Sequence, residues 1–168
     1  MIQEQKHHYG PQVHLLQSPS LQGWLARLCS PETHQPQINH LVARLYQNLL
    51  RYVIDQELPK ERFEVPTRMT ETHPQVLLQG ERIRPGTRAI SVNLARAGTY
   101  PSHMCYEALH DYLRPELIRQ DHIFASRQTN SENHVTGTEF GASKIGGDQN
   151  DSYVFFPDPM GATGNTLV

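Results

Sequence analysis

The sequence predicts an α/β fold with a mainly parallel sheet flanked by helices. Three observations lead there. A strand, a helix, a second strand, a polar excursion and a third strand follow one another between Arg88 and Phe156, the order of a layered α/β domain. An amphipathic helix precedes them. The last apolar run ends in an acid and opens into a turn of small and hydroxylated residues, Tyr153-Val-Phe-Phe-Pro-Asp-Pro-Met-Gly-Ala-Thr-Gly-Asn-Thr-Leu-Val168.

Residues 1–18 are polar, include His7, His8 and His14, and are expected to form an N-terminal arm; residues 19–168 form the domain proper. Leu21, Trp24, Leu25 and Leu28 share one face of a short helix over 20–28, with Ser18 or Ser20 as its cap and Pro19 suited to an early position. From about Pro36 to Leu58, Ile38, Leu41, Val42, Leu45, Leu49, Tyr52 and Val53 recur at three- and four-residue steps. Leu50 and Ile54 widen this stripe enough for a core and a partner subunit. Residues 59–87 read as a polar flap, with short antiparallel strands at Phe63-Glu-Val and Gln75-Val-Leu-Leu and a turn at Arg84-Pro-Gly-Thr. Arg88–Leu94 is a strand, Pro101–Leu113 a helix and Asp121–Ser126 a strand. Residues 127–152, polar and glycine-bearing, form a long loop or a loose hairpin, and Tyr153–Phe156 resumes the sheet.

Composition narrows the function classes. The 168 residues carry a formal charge of −2, which offers no basic field for nucleic acid or an anionic membrane. Twelve of the fifteen basic residues are arginine, suited to bidentate grip on phosphate or carboxylate. Two cysteines, Cys29 and Cys105, make neither a disulfide framework nor a metal-binding spacing. His103, Glu107, His110 and Asp111 read as a polar helix face, and no resident metal site is expected. With neither a signal peptide nor an apolar membrane span in the sequence, a cytosolic location is expected by default.

The chemistry concentrates at the strand ends. A strand ending at Asp158 delivers a carboxylate to the carboxyl edge of the sheet, where open α/β folds bind ligands. Gly161 and Gly164 permit close backbone approach. The amides from Ala162 through Thr163, Gly164 and Asn165 to Thr166 can converge on a phosphate at the start of a helix. Asp158 itself would repel a bare phosphate and suits ribose hydroxyls or Mg2+. Gly-Lys-Ser/Thr and G-x-G-x-x-G are both missing, so neither a Walker-type loop nor a dinucleotide fold is indicated.

Asp158-Pro-Met-Gly-Ala-Thr-Gly-Asn-Thr166 resembles the phosphoribosyl-pyrophosphate segment of uracil phosphoribosyltransferases, usually Asp-Pro-Met-Leu-Ala-Thr-Gly-Gly followed by Ser or Thr. Gly161 stands in place of Leu and Asn165 in place of Gly. Asn93-Leu-Ala-Arg-Ala-Gly98 resembles the family's Leu-Arg-Ala-Gly turn, and Ser126-Arg127-Gln-Thr its Tyr-Arg segment, with Gln128-Thr-Asn130 replacing the usual acids. The resemblance implies a divergent phosphoribosyltransferase-like fold and a homodimer. It also implies conversion of uracil and 5-phosphoribosyl 1-pyrophosphate to UMP and pyrophosphate, with Mg2+ carried by the pyrophosphate. Arg96 and Arg127 would hold the pyrophosphate, with Ala97 and Gly98 letting the backbone approach it. Asp158 would orient the ribose, and Arg96 and Asp158 would carry the catalysis. The family's base pocket lies in a later segment, so truncation at Val168 within the functional unit is expected. A catalytically inactive nucleotide-binding or regulatory relative is the alternative.

Overall fold

The computed structural model describes residues 3–129 and 135–159, with residues 126–129, 135–138 and 140 described by their backbone alone. The chain divides into two compact units, Met1–Tyr52 and Val53–Val168.

In the first unit the polar arm folds back on itself. Strand β1 (Gln3–Glu4) pairs antiparallel with β2 (Leu16–Gln17). The Glu4 carboxylate accepts a hydrogen bond from the Tyr52 hydroxyl and pairs with His14 Nδ1 at 3.0 Å. The Tyr52 bond, then His14, hold the Glu4 carboxyl below its ordinary pKa. Helix α1 (Pro19–Leu28) starts where its cap dictates. Ser18 is extended, its Oγ accepts the Leu21 amide at 3.2 Å, and Pro19 occupies the first turn, where no N–H is needed. Its apolar face is only half covered, with Leu25 50% exposed. The Arg44 guanidinium lies 5.6 Å from the centre of the Trp24 ring.

Helix α2 (Gln37–Glu57) runs from the first unit into the second. Leu41, Leu50 and Ile54 are buried on it, as is Leu58 just beyond its end. The last three are spaced by four residues, one helical face. Each contributes about 1.5–3 kcal/mol by leaving water. Leu49 stays 41% exposed.

The second unit begins with a hairpin of β3 (Lys60–Pro66) and β4 (Leu77–Ile83), antiparallel as expected for the flap. Gly80 faces Phe63 across the ladder, and a Cβ there would lie 3.1 Å from the Phe63 ring. Next comes a four-stranded sheet in the order β7-β6-β5-β8, formed by β5 (Arg88–Ala95), β6 (Ile118–Thr129), β7 (Val135–Lys144) and β8 (Ser152–Phe155). Helix α3 (Thr99–Leu109) links β5 to β6 and packs on both. The architecture is therefore α/β, but the sheet is mixed. β5 runs parallel to β6 and β8, while β7 runs antiparallel to β6. Three of the four strands thus run parallel, as the sequence led one to expect, and β7 alone makes the sheet mixed. Much of the polar excursion over 127–152 is β7 and the end of β6, a hairpin whose strands are drawn into the sheet by pairing and not by apolar content. No helix among the described residues is long and apolar enough to cross a membrane.

The remaining part of the excursion, between β7 and β8, is clamped. Arg119 Nε bonds both Asp121 carboxylate oxygens at 3.1 and 3.2 Å, and its other nitrogens donate to the Asp148 and Gly147 carbonyls at 2.6 and 3.0 Å. The Gly146 amide donates to Asp121 at 3.0 Å. Gly147 has φ 145, backbone that a side chain would strain. Asp121 is buried, its side chain 6% exposed, so removing Arg119 strands a desolvated carboxylate. Arg119→Ala is expected to lower unfolding free energy by about 2–3 kcal/mol, somewhat below the cost of breaking a fully buried pair because Arg119 itself reaches solvent. Urea denaturation measures it. Arg82→Ala, which breaks an exposed pair with Glu61, should cost less than about 1 kcal/mol. Equal losses in the two variants would contradict the clamp.

Candidate functional site at the carboxyl edge of the sheet

The connection leaving β5 crosses through α3 to β6 on one flank, while β8 lies on the other flank. Strand order thus reverses at β5, and the crevice beyond the carboxyl ends of β5 and β8 is where open α/β sheets take ligands. Two of the sequence-predicted segments flank this crevice. The Arg96–Gly98 turn follows β5 directly. Asp158 comes three residues after Phe155, the last β8 residue paired with β5, and Phe155 is opposite Ser91.

Gly98 joins the two segments. Its amide donates to the Leu94 carbonyl at 2.9 Å, closing the turn. A Cβ at Gly98 would meet Leu94 O at 2.9 Å, Leu94 N at 3.0 Å and Pro157 O at 3.2 Å. Its φ is −71, so glycine is needed for space and not for a left-handed backbone. Pro157, whose carbonyl would meet that Cβ, is the residue just before Asp158. Arg96 and Ala97 are exposed, Gly98 and Pro157 buried, and Asp158 half-buried. The Ala95–Arg96 peptide is cis.

The turn leads straight into α3. That helix has no side-chain hydrogen bond at its N-cap and no acid in its first turn. Its positive end therefore offers an unneutralised partial charge toward an anion. Arg127 lies on the same edge by register. Phe124 of β6 pairs with Ala95, the last residue of β5, and Arg127 follows three residues on, opposite Thr138 of β7. That is about 10 Å further along the strand direction at ~3.3 Å per residue. Ala162, Thr163, Gly164, Asn165 and Thr166 lie outside the described residues, as does Gly161.

Comparison with known proteins supports the fold and goes no further. The structure is similar to that of the AQ2163 protein from Aquifex aeolicus, with a TM-score of 0.63 and 16% identity over 90% of this chain and 64% of that one. This chain thus spans less than two thirds of that protein's length. No family model matches the sequence, and no curated protein matches it.

Beneath the turn lies a polar layer that sequence reading did not assign. β5 alternates. Ile90, Val92 and Leu94 form an apolar cluster with Ile123 packed against it, while Ser91 and Asn93 are also buried, at 0% and 5% exposure. Ser91 Oγ donates to the Ser102 carbonyl at 2.7 Å, and Gln120 Nε2 donates to Ser102 Oγ at 3.1 Å. Asn93 Nδ2 donates to His122 Nδ1 at 3.1 Å, and the Thr99 hydroxyl donates to Asn93 Oδ1 at 3.3 Å. The available signal was two polar side chains at alternate positions of an otherwise apolar central strand, where parallel sheets usually run apolar on both faces.

Elsewhere on α3 the polar residues act separately. His103 pairs with Glu107 at 3.5 Å in solvent, while His110 Nδ1 lies 2.7 Å from the Tyr106 carbonyl. Cys105 is fully buried, and burial pushes its thiol up to about 11, so it is protonated at neutral pH. The described residues hold no cluster of three or more His, Cys, Asp or Glu able to cage a metal. Mg2+ carried in on a substrate needs no such cluster. Mg2+ keeps most of its water and binds through one or two carboxylates and substrate phosphates.

Proposed function

We propose that this chain handles 5-phosphoribosyl 1-pyrophosphate as a phosphoribosyltransferase of the uracil-salvage type. Uracil and 5-phosphoribosyl 1-pyrophosphate would become UMP and pyrophosphate. The observation that carries the reading is the close approach of the Pro157 carbonyl to Gly98, 3.2 Å from where a Cβ would stand, at a topological switch point. It makes neighbours of two segments, Arg96–Gly98 and Asp158, that the resemblance assigns to one ligand.

In this reading the bond between ribose C1 and the pyrophosphate oxygen breaks, and a bond from C1 to uracil N1 forms. The N1 proton leaves with pyrophosphate or to water. Positive charge develops on C1 and negative charge on the departing group. Arg96, Arg127 and the positive end of α3 would stabilise that negative charge. Asp158 would accept hydrogen bonds from the ribose hydroxyls. The loop through Thr166 would grip the 5-phosphate, so that positioning contributes to rate. Mg2+ bound with the pyrophosphate would supply further charge neutralisation. A homodimer belongs to the same reading, supported by the broad apolar stripe of α2 with Leu49 still exposed.

A second reading is a protein that binds the same ligand without turnover. Gly161, Asn165 and the uncharged Gln128-Thr-Asn130 favour it. One experiment separates the two, using the complete natural chain with Mg2+, 5-phosphoribosyl 1-pyrophosphate and radiolabelled uracil. Labelled UMP is the expected product. Saturable ligand binding without UMP selects the second reading, and neither binding nor product overturns both.

A further inference from the structure

We infer that Asn93, with its partners Thr99 and His122, is a positioning group for the turn that would meet the pyrophosphate. The inference rests on the reading of the site proposed above. Asn93 is buried, and its amide is used at both ends. Its carbonyl oxygen holds the Thr99 hydroxyl on the first residue of α3, and its NH2 holds His122 on β6. Asn93 and His122 are register partners across the parallel ladder, as are Ser91 and Gln120 one rung below. Both rungs reach the first turn of α3, one through Thr99 and the other through Ser102.

Such a layer is a costly way to fill the space between strand and helix. A buried amide is tolerated only when bonded, and apolar residues of similar size would pack there without that demand. What the layer adds is direction. The Arg96–Gly98 turn has its own closing bond, from the Gly98 amide to Leu94 O. On its far side it is held by Thr99, and Thr99 is held by Asn93. Exposed Arg96 and Ala97 therefore hang between two fixed points, the end of β5 and the Asn93–Thr99 bond. Asn93 touches no substrate in this arrangement and acts through the turn.

Three substitutions test it. Thr99→Val keeps the shape and removes the hydroxyl, and Thr99→Ser keeps the hydroxyl. His122→Leu removes the acceptor at the other end of Asn93. The first readout is hydrogen exchange at the Gly98 amide. The second is the dissociation constant for 5-phosphoribosyl 1-pyrophosphate with Mg2+, taken beside the KM for uracil. In Thr99→Val, exchange at Gly98 should quicken and the ligand should bind several-fold to roughly tenfold more weakly, the scale of one hydrogen bond. The uracil KM should hold, the thermal midpoint should fall by no more than a few degrees as one group of the buried amide loses its partner, and Thr99→Ser should restore both readouts. His122→Leu should reproduce the Thr99→Val behaviour. Wild-type exchange at Gly98 in both Thr99→Val and His122→Leu overturns the inference. If the wild-type chain binds no 5-phosphoribosyl 1-pyrophosphate, the functional reading fails, while Gly98 exchange still decides whether Asn93 positions the turn.

Discussion

Gly98→Val should destabilise the second unit by about 2–3 kcal/mol, the range of overpacking in a site that cannot relax. The added Cβ alone would sit 2.9 Å from Leu94 O and 3.0 Å from Leu94 N, both backbone atoms of the central strand. No rotamer relieves a Cβ contact, so either β5 shifts or the turn opens. Opening the turn also moves it away from Pro157 O, now 3.2 Å from the Cβ position. The substitution should therefore weaken 5-phosphoribosyl 1-pyrophosphate binding as well as folding. Backbone conformation is not the cause, since Gly98 has φ −71. Gly86→Ala is the matched control. Nothing lies within 4 Å of its Cβ position, and it should change stability by no more than about 0.5 kcal/mol. Thermal unfolding of the two variants gives the comparison, and similar midpoints would mean that the Gly98 contact is not tight.

Arg96→Ala and Asp158→Ala should each weaken 5-phosphoribosyl 1-pyrophosphate binding by roughly 10- to 100-fold, the worth of a hydrogen bond to a charged group at about 1.5–3 kcal/mol. Neither change should cost much stability, because Arg96 is exposed and Asp158 only half-buried at the end of its strand. The two effects should differ in character. Loss of Arg96 removes positive charge facing pyrophosphate, so its penalty should shrink as salt rises. Loss of Asp158 removes an acceptor for ribose hydroxyls, and its penalty should depend little on salt. Calorimetric titration at two ionic strengths separates them. If both variants bind as the wild type does, the carboxyl edge is not the ligand site.

Local chemistry made much of this fold readable. Ser18-Pro19 carries its own helix start, because an Oγ acceptor and a missing N–H both suit a first turn. The period-two alternation of Ile90, Val92 and Leu94 specified β5, and apolar residues at three- and four-residue steps specified α2, although its buried positions include Leu50 and Ile54, which had only widened the stripe, while Leu49 within it is exposed. Pro101 suggested a helix start two residues later than the real one, since proline is tolerated within the first turn.

Non-local pairing hid the rest. β7 is polar and glycine-bearing, and only its antiparallel ladder with β6 makes it a strand. β1 and β2 are two residues each and lie on either side of a polar stretch. The candidate site divides in the same way. Arg96, Gly98 and Asp158 stood out because turn chemistry and strand ends are local features. The bonds of Asn93 were invisible because its partners, Thr99 and His122, come together only when α3 crosses from β5 to β6.

The most direct measurement is a calorimetric titration of the complete natural chain with 5-phosphoribosyl 1-pyrophosphate in Mg2+. Saturable binding that competes with pyrophosphate and is weakened in both Arg96→Ala and Asp158→Ala is the predicted result. The absence of any heat of binding at millimolar ligand, with the protein folded, would contradict the assignment of this edge to phosphoribosyl chemistry.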